Sequence, residues 1–342
     1  MRIAFLYNVK LLSPSLTNEK AQIYAEFDAP KTIAGIKKAI EANGHKVHMI
    51  EANEKAYLKL KKLKDSRQVD LVFNIAEGFY GEAREAQIPA ILEMLQIPYT
   101  GSGPQTLAIT LDKSRTKEIL SYYQIPCARF QVFFNEKDKL KNGLSFPLII
   151  KPIREGSSKG IMNNSIVRNK KQLVKKVKEV ITKYKQPVVA EEFLEGREFT
   201  VGVIEKNGTP FVLPIIEVTF DDLPKNMNKI YSYEAKWFYD DPSKGNDPLV
   251  CPAKVSNELK KKIEDVALKT FGALRCKDMS RVDMRLNKKG IPCVLEVNAL
   301  PGMIPDPLEN SNFPKAARTA GIDYNHMIGM IINSAKRRYG LR

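Results

Sequence analysis

Apolar positions in the first hundred residues switch repeatedly between two periods. The runs "RIAFLYNV" (2–9), "HKVHMI" (45–50) and "VDLVFNI" (69–75) are short and nearly continuous, as buried strands are. Between them, "PKTIAGIKKAIEANG" (30–44) and "KAYLKLKKLK" (55–64) carry apolar residues at helical spacing, and the first stops at a glycine. Strand, helix, strand, helix, strand predicts a parallel sheet with right-handed crossovers. A further helix, "EAREAQIPAILEMLQ" (82–96), runs into "IPYTGSG" (97–103), whose Pro, Gly and Ser content marks a domain boundary.

The pattern then changes. A helix over 112–123 precedes strands near 130–134 and 147–151 and a helix over 170–185. After 186–204 the pattern changes to strands in succession, then come a helix (255–274), strands 281–286 and 291–297, and two C-terminal helices. The expectation is an α/β chain that becomes α+β after its first sheet. It divides into an N-terminal unit (1–103), a central one (104–190) and a C-terminal one (191–342).

A chain of 342 residues exceeds the usual single core, which agrees with several units. Four widely spaced cysteines without a C-x-x-C argue against a disulfide framework or a zinc site and for a reducing cytoplasm. The start "MRIAFLYNVKLL" is broken by Asn8 and Lys10, and no apolar run approaches a membrane span. The formal charge of +16 raises the question of nucleic acid. Yet much of the excess lies in helical runs such as "KKQLVKKVKEV" (170–180), which read as solvated faces, and no nucleic-acid motif accompanies it. The field favours small anionic substrates instead. His45, His48 and His326 suggest structural or surface roles and no triad.

Three stretches could carry chemistry. "SRVDMRLNKKGIPCVLEVNALPG" (280–302) reads as a hairpin, and Glu296 and Asn298, two apart, share a face that Asp283 can join. Two carboxylates and an amide oxygen suit a hard cation such as Mg²⁺; the alternative is a buried carboxylate paired with Arg281 or Arg285. "FPLIIKPIREGSSKGI" (146–161) is a strand ending at Lys151 and a loop of small residues, either a phosphate cradle or an ordinary surface hairpin. Its spacing excludes the G-x-x-x-x-G-K-[ST] loop. "VVAEEFLEGREFTVGVI" (188–204) puts acidic residues after an apolar strand, where backbone groups can meet an adenine edge and a carboxylate can hold ribose, or where a charged turn simply sits.

Together these stretches, with "NIAEGFYGEAREAQIPAILEMLQIPYTGSGPQTLAITLDKSRTK" (74–117) and "IYSYEAKW" (230–237), resemble in order the D-alanine–D-alanine ligase family of the ATP-grasp superfamily. The resemblance runs from about residue 70 to the end. It implies three α/β domains with ATP between the central and C-terminal ones. One substrate's carboxylate would take the γ-phosphate to form an acyl phosphate, and an amine would displace phosphate to form an amide. Carried over by position, Lys113 and Lys151 would contact phosphates, with Ser158 in the phosphate loop and Lys236 in a lid. Glu191 and the backbones of Glu192 and Leu194 would meet adenine, and Glu198 would hold ribose. Asp283, Glu296 and Asn298 would bind Mg²⁺ or Mn²⁺, and Arg281 with the Gly302 N–H would stabilise the tetrahedral oxyanion. The resemblance further implies amino-acid substrates and a homodimer formed through the N-terminal domain.

This chain departs from the family at four places. The family's His-Gly-x-x-Gly-Glu is here Glu77-Gly78-Phe79-Tyr80-Gly81-Glu82, keeping Glu82 but placing an anion where a cation could form. The lid's Lys-Tyr is Lys236-Trp237, losing the hydroxyl that would bond Ser157. "MIPDPLENSNFP" (303–314) is several residues longer than usual, with Ser311 in the serine position before Pro314. No residue cleanly matches the glutamate that reads the first amine; Glu26 or Asp28 could serve. Three readings follow: a ligase of two D-alanines or a related pair, a ligase joining an amino acid to another carboxylate, and a nucleotide-binding protein without turnover.

Overall fold

The computed structural model describes residues 1–13, 15, 21, 24–240 and 245–341. Its first sheet follows the apolar runs. Strands β1 (Arg2–Tyr7), β2 (Lys46–Glu51) and β3 (Leu71–Asn74) lie in the order β2-β1-β3, all parallel. Helices α1 (Pro30–Ala42) and α2 (Ala56–Asp65) make the crossovers. Ile33, Ile36 and Ile40 of α1 pack on Phe5 and Phe73, while Leu60 of α2 packs with Ala4, Leu6 and Val72. The helix expected over 82–96 is shorter: a 3₁₀ turn, Arg84–Ala86, precedes α3 (Gln87–Met94). Pro89 explains the late start, since a residue without an N–H is tolerated only in a first helical turn.

Helix α5 (Lys113–Tyr122) stands where the pattern predicted one over 112–123, and before it runs α4 (Pro104–Leu111), which the pattern did not predict. Asp112 separates them in an extended conformation, and its carboxylate caps α5 by accepting the N–H groups of Ser114 and Arg115. Leu107 and Leu120 are buried against Val282, Val294 and Val297, so these helices pack on the C-terminal part of the chain.

The central sheet contains β4 (Phe130–Phe133), β5 (Leu148–Pro152), β6 (Ile166–Val167) and β7 (Val188–Glu192), antiparallel in the order β4-β7-β5-β6. Helix α6 (Lys170–Tyr184) covers it with Leu173, Val177 and Val180, leaving most of its lysines in solvent.

A third, antiparallel sheet holds β8 (Glu198–Lys206), β9 (Thr209–Val212), β10 (Ile216–Val218), β11 (Leu249–Val250), β12 (Met279–Leu286) and β13 (Pro292–Asn298). Its order is β11-β10-β8-β12-β13, with β9 also paired to β8. Helix α7 (Asn257–Ala273) packs on one face through Ile263, Ala267 and Phe271. Helices α8 (Asn312–Thr319) and α9 (Tyr324–Arg338) follow. Ile328 and Ile331 of α9 belong to one core with Ile204 of β8 and with Ile3 and Phe5 of β1. That shared core seats the first sheet on the third and fixes the walls of the cavity between them.

Candidate active site

The β12–β13 hairpin forms the floor of a cavity of about 560 Å³. Antiparallel register sets Asp283 opposite Glu296 and Arg281 opposite Asn298, so the strands bring together four of the five residues the hairpin reading singled out, while Arg285 pairs with Glu198 instead. Arg281 donates to both oxygens of Asp283, at 3.0 and 2.8 Å, and Asn298 Nδ2 donates to Oδ2 at 3.2 Å. Thr200 of β8 donates to the same carboxylate. Lys113 Nζ lies 3.4 Å from Glu296 Oε2. Burial alone would raise the Glu296 carboxyl, but Lys113, Arg281, Lys151 and Lys236 overcome it and hold it at about 2. Both sequence alternatives are therefore present at once: an ion pair with Arg281, and a cluster of oxygens around an ionised Glu296 whose chemistry fits a hard cation.

At the far wall, Lys151 ends β5 and Glu191 lies on β7. Glu191 is fully buried; its Oε2 takes Lys151 at 3.2 Å and Lys117 at 3.4 Å, while Oε1 has no protein partner. Its burial works against the charge, and the two lysines more than offset it, lowering the carboxyl. A buried, ionised acceptor with a free oxygen on a cavity wall matches the exocyclic amine of adenine. Glu192 turns its side chain to Arg129, at 3.0 and 2.7 Å, and its N–H donates to the Arg129 carbonyl, so only its own carbonyl remains for a ligand. Leu194 lines the cavity beside it. Glu198 pairs with Arg285 at 3.3 Å; burial pushes its carboxyl up to about 7 despite that cation.

The loop after β5 is held by residues on other elements. Ser157 and Ser158 both adopt left-handed backbone, φ 49° and 59°. Ser158 Oγ donates to the Tyr231 carbonyl at 2.8 Å, and Gly156 N donates to Glu26 at 2.7 Å. A Cβ on Gly156 would sit 2.4 Å from Glu26 Oε1, so the close approach requires glycine. Glu26 also receives Arg84 at 3.0 Å and Lys159 at 2.8 Å. Burial raises Glu26, and Lys159 and Arg84 bring it down to about 2. Both of its oxygens are thus engaged in tying the loop to the N-terminal sheet. Asp28, which also lines the cavity, is raised to about 6 by burial against the opposing pull of Lys10.

Over the loop lies a short π-helix, Ala235–Tyr239. Lys236 Nζ is 3.5 Å from Ser157 Oγ, and the Trp237 indole N–H donates to the Ser157 carbonyl at 3.3 Å. The indole thus restores a lid-to-loop bond to the same serine, through a different atom from the missing phenol. Gly302 lines the cavity near Arg281. Ser311 accepts the Ile304 N–H and donates to the Gly302 carbonyl, both at 3.1 Å, so its hydroxyl braces the turn.

The structure gathers Lys113, Lys151, Ser157, Ser158, Glu191, Glu192, Leu194, Glu198, Lys236, Arg281, Asp283, Glu296, Asn298 and Gly302 in or against this cavity. Glu82 stays apart. It is exposed, pairs with Arg154 at 2.9 Å, and lines a neighbouring cleft. Glu77 does not line the cavity either; burial and the nearby Glu85 and Glu26 push its carboxyl well up. Sequence reasoning missed Lys117, Lys10 and Glu26's part in the loop. Lys117 had a signal, since it lies one helical turn from Lys113 and so on the same face. Lys10 had none.

The chain is similar to known proteins throughout its length. A family model described as "D-ala D-ala ligase C-terminus" matches residues 119–333. The D-alanine–D-alanine ligase of Fervidobacterium nodosum is 34% identical over 319 residues, covering 89% of this chain and 92% of that one. The ligase of the same name from Aquifex aeolicus is 34% identical over 303 residues, 88% and 94% of the two chains. An uncharacterized protein of Sinorhizobium fredii, y4sG, is 32% identical over 347 residues, 99% and 98%. Among solved structures, the D-alanine–D-alanine ligase from Bacillus anthracis complexed with ATP superposes with a TM-score of 0.70 at 26% identity, covering 99% of each chain.

Proposed function

We propose a course of reaction for this chain, which belongs to the D-alanine–D-alanine ligase family and is an ATP-dependent, ADP-forming ligase. One amino acid's carboxylate oxygen attacks the γ-phosphorus, the bond to ADP breaks, and an acyl phosphate forms. The second amino acid's nitrogen attacks the acyl carbon, loses a proton, and expels phosphate to leave a peptide bond. The observation that carries this reading is a single cavity with an unpartnered buried Glu191 oxygen at one end and Arg281 with Gly302 at the other.

In this reading the adenine amine donates to Glu191, Glu198 takes ribose hydroxyls, and Lys113 and Lys151 bind phosphate oxygens. Lys236 reaches the γ-phosphate from the lid while Trp237 keeps that lid on the phosphate loop. Arg281 and the Gly302 N–H receive the charge that develops on the tetrahedral oxygen, an effect of roughly 3 kcal/mol per donor in such sites. A divalent cation, Mg²⁺ or Mn²⁺, held by Asp283, Glu296 and Asn298, would supply screening of the phosphate charge. Asp28, the less engaged of the two N-terminal acids, reads the first substrate's ammonium.

A second reading keeps the chemistry and replaces one amino acid by another carboxylate. The clasp of the long 303–314 segment favours it: Lys31 bridges Asp306 at 2.6 Å and Glu309 at 2.9 Å, walling the substrate end with groups an alanine pair does not need. Phosphate release from Mg·ATP, measured over D- and L-amino acids singly and in pairs, tests both. Release with D-alanine alone, yielding the dipeptide, supports the first; release only with another pair supports the second. ADP binding without release for any pair would overturn this reaction.

A further inference from the structure

Among the described residues, four cations line the substrate end of the cavity; two are ion-paired and a third has only a serine hydroxyl at 3.5 Å. Arg281 is bound to Asp283, Lys236 faces Ser157, and Lys31 is clasped by Asp306 and Glu309. Lys10 is the fourth. It lies just past β1, half-buried, with its ammonium 4.9 Å from the centre of the Trp237 ring. Among the described residues no carboxylate lies within 4.0 Å of it; burial lowers its ammonium, and the charges of Asp28 and Glu309 offset that only in part. It is also near enough to Lys236 to disfavour that lysine's charge. A half-buried ammonium that stacks on an aromatic face, and that no carboxylate of the described residues contacts, leaves room for a further anion from the cavity.

We infer that Lys10 is a specificity-determining residue that pairs with a carboxylate of an amino-acid substrate beside Trp237. This rests on the ligase reading above. The charge inventory leads to it: the donor's reacting carboxylate faces Arg281, Gly302 and Lys236, and its ammonium faces Asp28. The hydroxyl of Ser311 is spent on Gly302 and Ile304. A further carboxylate, either on the donor's side chain or the acceptor's own α-carboxylate, meets Lys10, the cation of the described wall that has neither an ion pair nor a part in the reaction as read above. An alanine donor would use Lys10 only through its acceptor; an acidic donor would use it directly.

Trp237 is the protein's single tryptophan, so its emission reports on this spot alone. The full chain is titrated, without ATP, with D-glutamate against D-glutamine and with D-alanine against D-alaninamide. Binding at Lys10 should change Trp237 emission for the carboxylate member of one pair and bind it at least about tenfold more tightly than its amide, the worth of one charge-assisted hydrogen bond. Which pair responds identifies the source. Lys10→Met should abolish the preference and Lys10→Arg should restore part of it; a melting curve checks that each variant folds. Equal affinity for acid and amide in wild type, or an unchanged preference in Lys10→Met, overturns the inference. A parallel titration with Mg·ADP separates the premises: if ADP does not bind, the ligase reading falls; if it binds and the acid preference ignores Lys10, only the present inference falls.

Discussion

Lys236 should make nucleotide affinity and fold stability move in opposite directions with pH. Its ammonium is lowered from 10.5 to about 8, first by burial and then by Arg281. That difference corresponds to roughly 3 kcal/mol against the charged form at 1.36 kcal/mol per tenfold, and to less in so far as the lid opens to water. The phosphates of ATP would favour the ammonium again, so the nucleotide binds the protonated lid. As pH rises above about 8 the free protein loses this proton, and KM for ATP should climb by about tenfold per pH unit until the bound state also titrates.

Stability has the opposite sign. A lysine whose folded pKa lies below its unfolded one binds fewer protons folded than unfolded between about 8 and 10.5. Folding therefore gains stability through that window as the unfavourable charge is removed. Lys236→Met lacks both effects. It should be more stable than wild type at pH 7, by at most roughly 3 kcal/mol, with the gap closing toward pH 10. The assay is KM for ATP from ADP release between pH 6.5 and 9.5, paired with chemical unfolding of both proteins. A wild-type KM that stays flat across pH 8, or one that rises equally in Lys236→Met, would refute the assignment of the titrating group.

Three further outcomes follow from the geometry. Arg281→Ala should lower kcat about a hundredfold or more while Mg·ADP affinity changes little, since the guanidinium acts where charge develops; isothermal titration beside steady-state kinetics checks the split, and a near-normal kcat sinks the oxyanion role. Glu296→Gln keeps the shape but removes the anion at the centre of Lys113, Arg281, Lys151 and Lys236, so the Mg²⁺ concentration for half-maximal turnover should rise about tenfold or more, with turnover nearly lost. Glu26→Gln takes one of two carboxylates from Lys159, which keeps Glu155 at 2.5 Å, and leaves Arg84 with Glu155 at 3.9 Å, so it should cost roughly 1.5–3 kcal/mol in unfolding experiments, the worth of a hydrogen bond to a charged group. Because Glu26 titrates at about 2 when folded and near 4.5 otherwise, its contribution is present above 4.5 and lost as pH falls toward 2, so the variant's deficit should shrink over that window.

What could be read from the chain alone divides along a physical line. Periodicity located most of the elements, because each buries an apolar face whose spacing is written locally: α6 shows Leu173, Val177 and Val180 at helical intervals, and β1 and β3 are nearly unbroken apolar runs. It failed at α4, eight residues long, where Leu107 and Leu111 are too few to establish a period and only the core of the third sheet makes the helix worth forming. The site divides in the same way. Asp283, Glu296 and Asn298 were legible because strand register fixes which residues of a hairpin face one another. Lys151 and Glu191 were legible because they sit at the ends of adjacent strands. Glu26 and Lys10 were not assigned their contacts, since both belong to the first sheet's loops and meet the phosphate loop and the lid through contacts between residues 130 and 227 positions apart. Such contacts depend on surfaces, and surface complementarity leaves no period in a sequence. The same reasoning explains Glu82, whose motif position was retained while its side chain pairs with Arg154 outside the cavity. Motif spacing preserves the turn that Gly78 and Gly81 allow, both at positive φ, and a turn can be kept while the side chain beside it changes its partner. Substrate choice in this chain is therefore to be sought where the units meet, at Lys10, Asp28, Trp237 and the 303–314 segment, and the transferable chemistry in the hairpin floor beneath them.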